Sequence, residues 1–475
     1  MKEFKSDEKD SGESNSKNHT YVKVDNVDPS KFCIDLYGGQ GGFLDNSYLI
    51  PHNREFFYDR RKEKTALRKY YSPILDATYL PVFGEAITRT YTQGEDIYKP
   101  FVEDCTNGGI PLDTFLKDAT KQAKNNGVIA IVMDNFDELS DVRSENITNR
   151  DLPYVYIRNS LQIDYSRTTV DKFGNLTKIT FLEGEDSKDS KMVYKQWDNE
   201  QWRTFKGDNE KEEKTISSDY HGLGVIPVYL YRFGEILQGC DVKTLPQYYD
   251  LAKQNFRLYL ADSELDQHVS DQMFSILYAQ GIDATSQTIG TNVLMAIPLE
   301  DNVRITPGFI SADASLFKEE REYIASIIDS LYQLASQSGV TGVTDSASGI
   351  AKQWDFFATE IVLKHTSESV QNCNDWIEKL YSIYVGEEIE VEAVFPLDFQ
   401  PQNLLELADI AERYSLLDAP KASKQIVFKQ VFDKITFGDD SPATDQVRTD
   451  WENDTAGMSI SDRDNVDPDV DVVIE

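Results

Sequence analysis

The second half of the chain carries helical patterns too long to lie within one compact layer. From about Ala347 to Tyr384 an apolar repeat runs through Trp354, Phe357, Ala358, Ile361, Val370, Trp376, Leu380 and Ile383, with no proline to interrupt it. At ~1.5 Å per residue such a helix exceeds ~50 Å, well beyond the ordinary globular helix. Two more precede it. One is opened by Pro246 and reaches about Met273, with Tyr249, Ala252, Phe256, Tyr259 and Leu260 at three- and four-residue steps. The other, Ala314–Ser336, sets Phe317, Ile324, Ile327, Ile328, Leu331 and Leu334 against a charged face, Lys318 to Glu322. Between these two, strand-like runs Phe274–Ala279 and Asn292–Pro298 flank a polar loop containing Asp283, Thr285, Gln287 and Thr288. Gly339–Gly349 has Asp345 as its one charge and little to pack, so it reads as a loop leading into the longest helix. Helices with one apolar face each are hard to bury in a single elongated subunit, which predicts self-assembly.

The first half reads differently. Between Pro51 and Gly94 a helix starting near Tyr58 is followed by a broken one, interrupted by Pro73 and Pro81. The basic cluster Arg60–Lys69 includes Glu63 and follows Asp59, and is expected to be a solvated helix face rather than a phosphate contact. Leu112, Phe115, Leu116 and Ala119 share one helical face, Gly127 ends that helix, and Val128–Met133 is a buried strand. Tyr154–Ile157, Leu176–Leu182, Met192–Trp197 and Trp202–Phe205 then predict an antiparallel meander, closed by a further strand within Gly224–Tyr231. Beyond the long helix come a strand, Ile389–Phe395, and helices over Pro401–Leu417 and Ala422–Phe432. Residues 1–20, and residues 438–475 with about a dozen acids, are expected to be solvated tails.

The formal charge of −34 excludes a protein that coats nucleic acid by neutralising phosphates. Cys33, Cys105, Cys240 and Cys373 form no CxxC pair and no metal-ligand cluster, which suits a reducing interior without cofactors or metals. No apolar run would span a bilayer, and the charged start of the chain is unlike a signal peptide. Nucleotide, serine-hydrolase and zinc-protease motifs are missing. Gly38–Gly42 lacks a following Lys-Ser/Thr and is expected to be a flexible loop, while His221, His268 and His365 are expected to be structural. The acids of Asp462–Asp471 lack the glycine of a calcium loop. The expectation is a non-enzymatic protein.

Three blocks carry a family resemblance: Tyr71–Ile87 (YSPILDATYLPVFGEAI), Asn107–Leu116 (NGGIPLDTFL) with Asn126–Asp134 (NGVIAIVMD), and Leu245–Phe256 (LPQYYDLAKQNF). In this order and spacing, over roughly residues 50–385, the chain resembles the portal proteins, or head-tail connectors, of tailed bacteriophages. The resemblance implies an α+β portal fold. Its parts would be a disordered N-terminal tail (residues 1–20), a wing (21–244), a stem helix (245–273), a clip (274–313), a returning stem helix (314–338), a tunnel loop (339–349), a tunnel helix (350–385), a wing strand with a helical crown (386–437) and an acidic tail (438–475).

The resemblance further implies a homo-oligomeric, dodecameric ring at one capsid vertex of the virion, assembled in the host cytoplasm, through which the genome is packaged and ejected. Its partners would be other copies of itself, double-stranded DNA sliding through the channel, the terminase large subunit, a head-tail adaptor and the major capsid protein, with no membrane. Gly339, Thr341, Gly342, Val343, Thr344, Asp345 and Ser346 would face DNA, while Asp283, Thr285, Gln287, Thr288 and Asn292 would contact terminase and then adaptor. Another structural virion protein, such as a capsid or minor head protein, is the alternative reading, followed by a nuclease or hydrolase with dispersed acids.

Overall fold

The computed structural model describes residues 21–52, 55, 58–135, 152–186, 190–207, 213–272, 276–280, 295–297, 308–310, 314–334, 349–397 and 399. Both expected tails and both crown helices lie outside these residues. The first helix, α1 (Pro29–Gly38), begins where Asp28 accepts from the Ser30 and Lys31 amides and Pro29 presets the helical φ, and ends at Gly39 in the left-handed region. Next come α2 (Tyr58–Lys64), α3 (Tyr71–Ala77) and a 3-10 turn at Leu80–Phe83, broken as the prolines require. The glycine-rich loop is a packed corner rather than a flexible one. Gly41 lies against the Asp35 carboxylate and Gly42 against the Tyr48 ring, leaving no room for side chains.

The chain continues through β1 (Thr88–Gln93), α4 (Glu95–Glu103), α5 (Leu112–Asn126) and β2 (Val128–Asp134). Strand β2 is the middle of a three-stranded antiparallel sheet, with β3 (Tyr154–Arg158) on one side. A separate five-stranded antiparallel sheet follows in meander order: β4 (Thr169–Val170), β5 (Leu176–Glu185), β6 (Met192–Asp198), β7 (Gln201–Lys206) and β8 (Lys214–Tyr220). The other neighbour of β2 is β9 (Val228–Arg232). Ile129, Ile131 and Met133 of β2 enter a core with Phe115 and Leu116 of α5, whereas Ala130 and Val132 meet Ile179, Phe181 and Trp197 of the meander. Burial on both faces explains why this strand reads as an unbroken apolar run.

Two expected pairings are therefore corrected. Tyr154–Ile157 is a strand, but it pairs with β2 instead of opening the meander, and the strand within Gly224–Tyr231 also joins β2. Alternation identifies a strand without naming its neighbour; here Val155 and Tyr231 are claimed by the helical core.

After the hairpin of β10 (Gly234–Ile236) and β11 (Thr244–Pro246), helix α6 runs over Tyr249–Gln272. Pro246 belongs to a strand, so the helix opens three residues later than expected. Short strands β12 (Ile276–Gln280), β13 (Met295–Ile297) and β14 (Gly308–Ile310) lead to α7 (Ala314–Leu334), then α8 (Gly349–Val385) and β15 (Glu390–Val394). Strand β15 returns to pair antiparallel with β1. A second core joins Phe32, Leu36, Phe43, Tyr71 and Leu75 to Leu251, Leu258 and Tyr259 of α6 and to Ile324, Ile327 and Leu331 of α7. Ile324, Ile327 and Leu331 of α7 are thus covered within their own chain and give no reason for self-assembly, contrary to the sequence expectation, while Leu334 on the same face is 52% exposed. Its charged face is exposed at Lys318, Glu319, Arg321 and Glu322, as expected.

Candidate functional site

Helices α6 and α7 form an outward and returning pair. The Arg257 Nε donates to the Tyr323 hydroxyl at 2.9 Å, and eleven residues along α6 His268 Nδ1 lies 2.6 Å from Glu320 Oε1, so the register falls along α7 as it rises along α6. Between the two helices the chain forms a three-stranded sheet, with β12 parallel to β13 and antiparallel to β14.

At 37 residues, α8 is about 55 Å long at the usual rise. Its buried positions Leu363, Ser367, Val370, Asn374, Ile377 and Tyr381 recur at three- and four-residue steps. Ile361 and Ile383, assigned to the apolar face from sequence, are instead 51% and 47% exposed. Hydroxyls fix this helix at several levels: Ser367 Oγ donates to Pro396 O at 2.6 Å, Tyr381 Oη to Ile97 O at 3.2 Å and Tyr384 Oη to Met133 O at 2.9 Å.

The root of the helical pair is held by polar groups. Arg61, 4% exposed, donates to Glu55, to Ile50 O at 2.7 Å and to Ser263 Oγ of α6 at 2.9 Å. Asn255 of α6 accepts from the Tyr70 and Tyr71 amides at 2.9 and 2.8 Å and donates to Arg68 O at 3.0 Å, while the Arg68 guanidinium pairs with Asp262. The cluster Arg60–Lys69 is therefore not simply a solvated face. Arg61 and Arg68 fasten the first helical pair member to the N-terminal region. No local pattern marks this role, because the partners lie about 190–200 residues away in sequence.

Electrostatics offer no reactive centre among the described residues. Burial pushes the Cys33 thiol up to about 12 and raises Cys105 and Cys373 as well, so these thiols are poor nucleophiles. Burial lowers the Lys124 amine to about 7; it faces the rings of Phe233 at 4.7 Å and Tyr248 at 5.8 Å. His221 contacts Asp198 O at 2.9 Å and His365 packs edge-on against Phe233. Among the described residues no His/Cys/Asp/Glu group would hold a metal ion, and no helix is long and apolar enough to cross a membrane.

The residues expected to face DNA, Gly339 to Ser346, and those expected to contact terminase or adaptor, Asp283 to Asn292, lie outside the described residues. Along the chain the first group lies between α7 and α8 and the second between α6 and α7.

No protein-family model matches the chain, and no curated protein matches it. Among solved structures, a chain from the neck of an empty gene transfer agent particle, computed with C6 symmetry, has a TM-score of 0.43 at 12% identity, over 75% of this chain and 88% of that one. A chain from the virion of the native gene transfer agent particle has a TM-score of 0.41 at 11% identity, over 85% and 93%. A chain from the native neck, computed with C12 symmetry, has a TM-score of 0.40 at 12% identity, over 75% and 92%.

Proposed function

We propose that this chain is a structural subunit of a phage-like particle, and within that class the portal: a ring-forming subunit whose channel passes double-stranded DNA. The observation that carries the reading is the order of elements after residue 248, where a helix, a three-stranded excursion, an antiparallel returning helix and a 37-residue helix follow one another. On this reading these elements would be the stem, clip, returning stem and tunnel helix that the resemblance implies. The ring would be dodecameric and would occupy one capsid vertex within the major capsid protein. Asp283, Thr285, Gln287, Thr288 and Asn292 would meet terminase and later the adaptor, and the loop Gly339–Gly349 would face DNA. A net charge of −34 suits a channel of this kind, because DNA moving in both directions must not be held by many phosphate contacts.

Imaging of the purified full-length chain, together with native mass measurement, tests the reading. A closed ring of twelve with an axial opening is expected. A monomer at micromolar concentration, or magnesium-dependent cleavage of DNA by the purified chain, overturns it.

A further inference from the structure

The hairpin of β10 and β11 stands on two aromatic side chains that enclose one amine. Phe233 precedes the hairpin and Tyr248 follows it, and Lys124 Nζ of α5 lies 4.7 Å from the centre of the first ring and 5.8 Å from that of the second. Lys124 is 1% exposed. Among the described residues it forms no hydrogen bond and no ion pair, so the two rings are its whole polar company. The same hairpin clasps the end of α5: the Phe233 amide donates to Gly127 O at 2.8 Å, and a Cβ at Gly127 would stand 2.6 Å from Thr244 O of β11. On the far side Tyr248 O accepts from the Ala252 amide at 2.9 Å, the bond that opens α6. The amine therefore lies beneath the one stretch of chain that joins β9 of the sheet core to the helical pair.

The titratable groups on the elements packed around this end of α5 do not supply a counter-charge. Burial pushes the Cys33 thiol of α1 and the Tyr248 phenol up to about 12, and raises Tyr71 of α3, Tyr231 of β9 and Cys373 of α8 as well, so all of these stay neutral. Strand β11, Thr244–Pro246, has no titratable side chain, and Lys243 just before it is paired with Asp28. Arg232 alternates with Tyr231 and Phe233 along the chain and so takes the other face of the sheet. On α5 itself Lys121 is paired with Asp118. His365 of α8 stands edge-on to Phe233, on the ring that Lys124 faces. Burial alone lowers the Lys124 amine to about 7, with no neighbouring charge to offset it.

We propose that proton uptake by Lys124 parts Phe233 from Tyr248, lifts the β10–β11 hairpin from the end of α5 and loosens the first turn of α6, so that acidity sets how firmly the helical pair is joined to the sheet core. The amine takes its proton from water. As an ammonium it needs acceptors that two ring faces do not replace, and moving those rings apart is the shortest way to let water reach it. As a neutral amine it fits the site as it stands. The direction is fixed by the sign of the shift: the closed site holds the proton less tightly than the opened one, so falling pH favours opening. The inference concerns a single chain and stands whether or not the portal reading holds.

Hydrogen exchange of the full-length chain at about pH 6 and about pH 8.5, with each amide's rate divided by its intrinsic rate at that pH, reads the opening segment by segment. Protection across residues 234–256 is expected to be on the order of tenfold lower at the acid pH, with the meander strands β5 to β7 changing little. Lys124→Met removes the titrating group and is expected to leave this segment equally protected at both values. His365→Gln is the control, because histidine ordinarily titrates within the same window, and it is expected to keep the full difference. The unsubstituted chain can overturn the proposal by itself, if residues 234–256 show no pH dependence or if the meander loses as much protection as they do. A difference that survives Lys124→Met, or one that disappears in His365→Gln, overturns it equally.

Discussion

The sheet core around β2 and the root of the helical pair both bury apolar side chains, but only the root adds a network of buried cations and amides. Strand β2 is enclosed by apolar side chains on both faces, Ile129, Ile131 and Met133 on one and Ala130 and Val132 on the other. The pair α6–α7 also meets the N-terminal helices through apolar side chains, Phe32, Leu36, Tyr71 and Leu75 against Leu251, Leu258 and Tyr259, but this junction adds Arg61, Arg68 and Asn255 acting on backbone and carboxylate groups. Apolar burial tolerates small adjustments of position, whereas a buried guanidinium with Glu55, Ile50 and Ser263 around it accepts one arrangement. The difference teaches that the helical pair is set at a defined angle on a core that is itself adaptable.

Breaking the polar root should have the largest effect. Arg61→Ala removes a buried guanidinium that pairs with Glu55 and donates to Ile50 O and Ser263 Oγ, and is expected to cost about 3–5 kcal/mol, read as a lower urea midpoint of the isolated chain. A loss below about 1 kcal/mol would place Arg61 among ordinary surface cations and remove the contrast.

Lys124 sharpens the comparison because it is a charge buried among apolar and aromatic groups without a carboxylate to offset it. Its folded-state pKa, about 7, lies below the unfolded value near 10.5, so the unfolded chain holds the proton more strongly between those limits. The destabilisation is complete below pH 7 and is relieved as pH rises towards 10.5. Lys124→Met should therefore stabilise by up to roughly 4 kcal/mol at pH 6 and by progressively less at pH 8, 9 and 10. Urea midpoints of both chains across this range check it, and a pH-independent difference refutes the assignment.

The smallest effect belongs to the adaptable core. Ile131→Val removes one buried methylene from β2 and should cost about 0.5–1.5 kcal/mol in the same denaturation. A cost as large as that of Arg61→Ala would show the sheet core to be as exacting as the root.

Legibility follows the same division. Apolar periodicity made α5, β2, the meander, α6, α7 and α8 visible to within a few residues, because these elements are defined by what they bury. Helix α1 also had its signals, Asp28 before it, Pro29 at its first position and Gly39 after it, although it lacks a long periodic run. Pairing was not visible: nothing local in Tyr154–Arg158 or Val228–Arg232 announces that both flank β2. Nor did Arg61 differ in sequence from Arg60 beside it, since its burial is decided by Ser263 and Ile50. The candidate DNA-facing and clip residues were chosen by their place in the order of elements that the resemblance implies, and they lie outside the described residues.

The pairing of β1 with β15 has a consequence for biosynthesis. Thr88–Gln93 is made early, but its partner Glu390–Val394 leaves the ribosome about 300 residues later, roughly 15–60 s at ~5–20 residues per second. Throughout that interval the nascent chain holds an unclosed sheet edge, and Ile97, Tyr98 and Phe101 await the Leu380 and Tyr381 side chains that will cover them. Closure of the β1–β15 sheet therefore waits for the synthesis of about 300 further residues, so that a truncated product lacking β15 displays uncovered apolar surface and is marked for chaperones or proteolysis.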